Sequence, residues 1–288
     1  MKKKRGLKIA ALLAALVLLG GLGWFANALV GNPVSKALAK RTAEKRLEEV
    51  YGDTDFYLDS VNYSFKTGGY YAHIRSESSI DSSFSFRISM GGRLEWDDYE
   101  NAVLSGWNTW QRLDREYREM TDKVFESAQF PFESDICFGS LDKMLPDNAL
   151  DEPEVELPEP GEELVPDKEY NMQELGSRYG ELTVYVQDEE VTAERAAEVL
   201  LELRKLMDAR GVPFYLIDFV LEKPKPEEDG DWSKRSDETI QTINFLYKDI
   251  YEEGLVERVK AANEAAIAHY AAMDAEKAAD QRDAEAGK

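Results

Sequence analysis

Residues 9–30 are 22 consecutive residues without a charge, and they follow the cations Lys2, Lys3, Lys4, Arg5 and Lys8. Leu12, Leu13, Leu16, Val17, Leu18 and Leu19 make the centre of this run strongly apolar. As an α-helix it would span about 33 Å, enough to cross a hydrocarbon layer of about 30 Å. A buried helix of a soluble domain is the weaker reading, because 22 uncharged residues directly behind four consecutive cations are rarely that. The first 32 residues are therefore expected to be a signal-anchor transmembrane segment outside any soluble core. Flanking cations stay in the cytoplasm, so the expectation is a single-pass membrane protein with an extracytoplasmic body.

Ala26-Asn27-Ala28 also fits the small-x-small pattern of a secretory cleavage site. A signal peptide's apolar region normally runs about 7–15 residues, shorter than this one. Trp24 and Phe25 occupy positions suited to an interfacial anchor, and Asn32-Pro33 provides a helix stop. The retained anchor is the first reading; secretion after cleavage near Ala28 is the alternative. A lipid anchor is excluded here because the lone cysteine is Cys137.

The formal charge of the chain is −22, and residues 1–8 contribute five cations, so the rest is more acidic still. Such a body repels nucleic acid and anionic headgroups, which excludes nucleic acid as a partner and predicts stand-off from the membrane. One cysteine permits no internal disulfide, so hydrophobic cores alone must hold the fold. Cys137, between Ile136 and Phe138, reads as a small buried apolar residue.

The pattern predicts an α+β protein with two small domains. In the first, 34–145, a helix over 34–51 precedes three strands. Phe56–Phe65 alternates with a phase shift near Asp59. Gly68-Gly69 turns into Tyr70–Ser76, and Phe84–Met90 puts Phe84, Phe86, Ile88 and Met90 on one face. The polar alternate residues predict an antiparallel sheet with one solvated side. A long helix is expected to begin near Asp97 or Asp98. Its stripe of Val103, Trp107, Trp110, Tyr117, Met120 and Val124 should cover the apolar face.

Residues 146–173 read as an acidic, proline-rich linker. Five of the ten prolines and ten acids against one lysine fall within 146–170. The second domain, 174–288, is expected to hold a βαβ unit. Its parts are a strand at Leu182–Val186, a helix N-capped by Thr192 and stopped at Gly211, and a buried strand Phe214–Leu221 interrupted only by Asp218. Thr239–Tyr247 suits a further strand, and an Ala-rich helix over 251–280 closes the chain, with Val256, Val259, Ile267, Tyr270 and Met273 as its apolar stripe.

No catalytic constellation emerges, and no cofactor or metal motif is recognised. Ser140-Leu141-Asp142-Lys143 and Lys66-Thr67-Gly68 match fragments of the penicillin-interacting serine enzymes, but in reversed order and with the second in a hairpin. His73 falls on a strand and His269 on the terminal helix, so they make no His-based zinc pair at helical spacing. Asp97, Asp98 and Glu100 suit a helix start as well as a cation. Glu227, Glu228, Asp229 and Asp231 lack the spacing of a calcium loop. Asn62-Tyr63-Ser64 is formally a glycosylation sequon of a length expected by chance. Tyr70, Tyr71, Trp107 and Trp110 suit a groove or a packed core.

Several segments together resemble a family of uncharacterised, membrane-anchored bacterial proteins described as YfjL-like. They are the basic signal-anchor, Ala43–Gly52 (AEKRLEEVYG), Tyr70-Tyr71-Ala72, Phe84–Leu94, Leu104–Asn108, Leu182–Gln187 and Asp249–Gly254. None of these motifs is catalytic. The helix followed by a short meander also resembles PepSY-type domains, some of which bind or restrain extracytoplasmic peptidases. That likeness implies a binding role.

The expectation is thus a membrane-tethered extracytoplasmic binding or accessory protein with an envelope protein or peptide as partner. Its interaction surface would be the open sheet face carrying Tyr71, His73, Arg75, Ser85 and Arg87. The alternative is a hydrolase working with carboxylates or a loosely held cation, which requires acids converging in a pocket with at least one raised pKa.

Overall fold

The structure is a computed structural model that describes 29–141, 164–224 and 238–286, together with Leu13, Leu16, Val17, Leu18 and Gly21. Most of the apolar run and of the linker therefore lies outside the described residues, as does the acidic loop holding Glu227 to Asp231. Among the described residues no helix is long and apolar enough to cross a membrane. The chain forms two compact units, Met1–Trp110 with Glu163–Lys168, and Gln111–Glu162 with Glu169–Lys288.

The first unit opens on helix α1 (Pro33–Tyr51). Asn32 caps it by accepting from Ser35 N (2.8 Å), and Pro33 takes the first helical position, where no amide donor is needed. Four strands follow: β1 (Phe56–Ser64), β2 (Gly69–Ser76), β3 (Ser83–Ser89) and β4 (Leu94–Asp97). They pair in sequence order, all antiparallel. The register of β1 slips between Leu58 and Ser60, so the predicted phase shift at Asp59 is a β-bulge. Alternation then sorts the side chains. Tyr70, Ala72 and Ile74 of β2 and Phe84, Phe86 and Ile88 of β3 are buried. Ala39 and Ala43 of α1 join the same cluster, their small side chains letting helix and sheet approach closely.

Two expectations are corrected in this unit. The sheet has four strands rather than three, because Leu94–Asp97 is extended and pairs with β3. The cover of the sheet is α1, not the aromatic stripe that follows. The expected long helix breaks at Gly106, whose φ of +74° is a left-handed stop that favours glycine. Before it lies a π-helical turn, Glu100–Leu104, which lends Ala102 and Val103 to the first core. After it runs α2 (Trp107–Phe125), with Trp107 48% exposed. From Gln111 onward α2 belongs to the second unit, where Tyr117 donates to Pro213 O (2.8 Å) and Asp114 accepts from Leu141 N (2.7 Å).

The second unit contains α2, β5 (Glu133–Leu141), α3 (Met172–Tyr179), β6 (Gly180–Gln187), α4 (Ala193–Arg210), β7 (Leu216–Glu222), β8 (Thr239–Leu246) and α5 (Leu255–Ala286). Its sheet order is β5-β6-β7-β8. The β6–β7 pair is parallel, joined by α4 as the expected βαβ unit, and the outer pairs are antiparallel. Thr192 accepts from Arg195 N (3.1 Å) at the start of α4, and Gly211 ends it at φ +65°. Val199, Leu200, Leu203 and Met207 on its inner face are fully buried. β5 escaped the sequence reading, and Cys137 on it is half-buried rather than buried. In α5 the buried positions are Leu255, Val259 and Ala266, whereas Ile267 and Tyr270 of the expected stripe are exposed.

Candidate functional site

Because β2 and β3 alternate strictly, every residue that falls between two core positions along its strand faces away from α1. Tyr71 pairs with Arg87, His73 with Ser85, and Arg75 with Ser83. All five expected surface residues therefore share one face, with Arg75 exposed and the other four half-buried. β4 extends the first row, since Trp96 lies opposite Arg87, and β1 supplies Asn62 opposite Tyr71.

Polar contacts fix this face. His73 Nδ1 and Ser85 Oγ are 3.0 Å apart. Arg87 Nε is buried and lies 3.3 Å from Glu95 Oε2, an ion pair without hydrogen-bond geometry. Arg93 shares Glu95 at 3.5 Å, and Arg75 lies 3.7 Å from Asp59. Asp98 N donates to Ser85 O (3.1 Å), while Trp96 Nε1 donates to the Asp98 carboxylate (3.2 Å). Trp96 is nonetheless 54% exposed.

Two shallow depressions meet on this face. One is lined by Tyr71, Ser85, Arg87, Arg93, Trp96 and Asp98, the other by Asp59, His73, Arg75, Ser85, Asp98 and Trp107 among others. Ser85 and Asp98 border both. Glu95 and Trp96 were not expected on this face because a four-residue strand between a Gly-Gly turn and an acidic run carries too little alternation, and Asp98 was expected only at a helix start or as a cation ligand.

Aromatic rings, guanidinium groups and hydroxyls lie on a broad pleated surface, whereas the Ser85–His73 contact sits on flat strands with no third group orienting the imidazole among the described contacts. Two of the acids considered as cation ligands have protein partners. Asp97 takes two bonds from Arg46 (3.0 and 2.8 Å) and the Tyr51 hydroxyl, and Asp98 holds Trp96. Among the described residues no group of three or more His, Cys, Asp or Glu could hold a metal ion.

Asp218 is a carboxyl whose pKa is pushed upward. Burial in the central strand β7 causes this, opposed by a bond from Asn244 N (2.7 Å) at the bulge between β7 and β8. It stands in the other unit from the open face. On β5, burial likewise raises the Cys137 thiol, which lies 2.9 Å from Ser134 Oγ, away from thiolate chemistry.

The family model described as the YfjL-like N-terminal domain matches residues 6–98, and the one described as the YfjL-like C-terminal domain matches residues 116–260. These spans track the two sheets. No curated protein and no solved structure matches the chain. By these two matches the chain belongs to the YfjL-like family, carrying both its N-terminal and its C-terminal domain.

Proposed function

We propose that this protein is a membrane-tethered, extracytoplasmic binding or accessory protein, anchored through residues 9–30, whose open sheet face engages a protein or peptide of the cell envelope. The observation that carries the reading is the gathering of Tyr71, His73, Arg75, Ser85 and Arg87, with Trp96, on the face of the first sheet away from its covering helix. The uncharged run of 22 residues behind a basic cap supports the anchor and its orientation. The likeness of the helix-and-meander unit to PepSY-type domains favours binding over catalysis. A tether concentrates such a face near membrane-bound partners, raising apparent affinity without any new contact.

The test is photo-cross-linking in cells, with the photoreactive residue placed at Trp96 and, as a control, at the exposed Ile267 of α5. A discrete adduct from position 96 that is absent from position 267, and that weakens with Tyr71→Ala and Arg87→Ala, is the expected result. Equal patterns from both positions contradict the reading.

A further inference from the structure

The strand register brings three features to one end of the first unit. Gly69 lies opposite Ser89, so the Phe65–Gly68 hairpin and the Gly91–Arg93 turn share that end. The start of α1 lies there too, because Asn32 bonds Tyr70, and Thr42 Oγ1 donates to Gly92 O (2.6 Å). The first unit therefore receives the chain from the uncharged run at its hairpin end.

Charge is sorted along the same axis. The hairpin half, made of the first half of α1, the facing halves of β1, β2 and β3 and the start of β4, carries Lys36, Lys40, Arg41, Lys66, Arg87 and Arg93 against Glu95. The opposite half carries Asp53, Asp55, Asp59, Glu77, Asp81, Asp97, Asp98 and Glu100, with further acids on the end of α1, against Lys45, Arg46 and Arg75. β2 is eight residues long, about 26 Å at 3.3 Å per residue. That is several Debye lengths of about 8 Å, so the far acids do not cancel the near cations. Among those cations Phe65 is 63% and Val34 71% exposed. Exposed apolar groups among cations are the composition of an interfacial membrane contact.

The connection is short. Only Gly31 and Asn32 separate the end of the uncharged run from α1, and two residues span about 7 Å at most. Both are fixed. Gly31 has φ +74°, and a Cβ there would meet the Tyr70 hydroxyl at 2.6 Å. The acidic body as a whole is repelled by anionic lipid, but so short a connection keeps the hairpin end within reach of the headgroups, where its own cations decide whether it makes contact.

We propose that the hairpin end of the first unit is a lipid-contact surface, with Lys36, Lys66 and Arg93 on anionic phospholipid headgroups and Phe65 and Val34 at their boundary with the acyl chains. This rests on the anchor reading of residues 9–30. It fixes the orientation of the sheet, standing its strands toward the bilayer normal and leaving the open face accessible along its length.

The experiment uses the full chain reconstituted in vesicles of phosphatidylglycerol with phosphatidylcholine, or of phosphatidylcholine alone. A spin label is placed at Thr67→Cys or, at the far end, Ile80→Cys, each in a Cys137→Ala background, and its access to a water-soluble relaxing agent is measured. The expected result is shielding at position 67 in anionic vesicles but not in neutral ones, with position 80 accessible in both. Lys66→Ala with Arg93→Ala should lower the ratio of shielded to accessible label at 67 by about 30-fold, from about fivefold per cation at an anionic surface. Protein that resists carbonate extraction yet is as accessible at 67 as at 80 overturns this inference and leaves the anchor standing. Release by carbonate overturns both.

Discussion

The Tyr70 hydroxyl holds both backbone groups of Asn32, accepting from its N–H at 3.0 Å and donating to its carbonyl at 2.9 Å. Tyr70 is buried in the sheet core, and Asn32 caps α1, so this pair fixes where the helix enters the domain. Tyr70→Phe keeps the ring and removes both bonds. It should destabilise the first unit by about 1–3 kcal/mol, at about 0.5–1.5 kcal/mol per bond, measured as a lowered urea midpoint at unchanged slope. No loss would mean that the helix start is held by the Asn32 cap alone.

Asp97 ties the other half of α1 to the sheet through Arg46 and Tyr51. Asp97→Asn leaves the partly exposed Arg46 without its carboxylate, and a loss of about 1–2 kcal/mol is expected, less than for a fully buried pair. The ring of Tyr51, which packs against Phe56, Phe84 and Tyr99, should stay in place, so near-ultraviolet circular dichroism is expected to change little.

Stability should fall at both ends of the pH scale. Burial, followed by the bond to Asp97, pushes the Tyr51 hydroxyl far above its ordinary value, and burial does the same for Tyr117. In the unfolded chain tyrosine ionises near pH about 10. The contribution of these two groups is therefore full below that pH and is lost as the pH rises toward their folded values. Asp188 shifts the other way, held down by the Glu190 amide and then by Arg195, and Asp55 is held down by the hydroxyls of Ser78 and Ser76. Their contribution is present above about pH 4 and lost as the pH falls through their folded values. Urea midpoints at pH about 3, 7 and 11 check both limbs, and a midpoint that does not drop at the alkaline end contradicts the tyrosine assignment.

Gly176→Ala should act against the usual sign. Within a helix such as α3 the change ordinarily stabilises by about 0.5–1 kcal/mol. Here the new Cβ would meet Pro213 O at 2.6 Å and the Tyr117 ring at 2.7 Å, and the first of these is backbone that cannot swing aside. A loss of about 1–3 kcal/mol is expected by thermal or urea unfolding, as for an overpacked core.

The alternation of Phe84, Phe86 and Ile88 and the cap-to-stop frame Thr192–Gly211 made the strands and the crossover helix legible, because each local signal agreed with its tertiary setting. The shared face of Tyr71, His73, Arg75, Ser85 and Arg87 followed from the same two-residue period. Elsewhere local signals misled. The spacing of Val103, Trp107 and Trp110 continues smoothly across Gly106, so a helical pattern conceals a break made by one left-handed glycine. Leu94–Asp97 is too short to show a period, so nothing local puts Trp96 opposite Arg87 on the open face. In β5, Ser134 to Gly139 alternates weakly, and only pairing to β6 defines it as a strand. The clamp in which Asp167 N donates to Asp81 while the Asp167 carboxylate accepts from the amides of Ile80 and Asp81 joins residues 86 apart, beyond any local pattern.

The most direct test of a tethered body outside the cytoplasm uses the exposed Ile80, changed to cysteine in a Cys137→Ala background. Intact spheroplasts are treated with a membrane-impermeant maleimide, and the extracted protein is weighed by intact mass spectrometry. A tethered body outside the cytoplasm is labelled without permeabilisation, on a chain that retains residues 1–30. Labelling only after permeabilisation would place the body in the cytoplasm, and a labelled chain beginning near Leu29 would make the protein secreted rather than tethered; either result contradicts it.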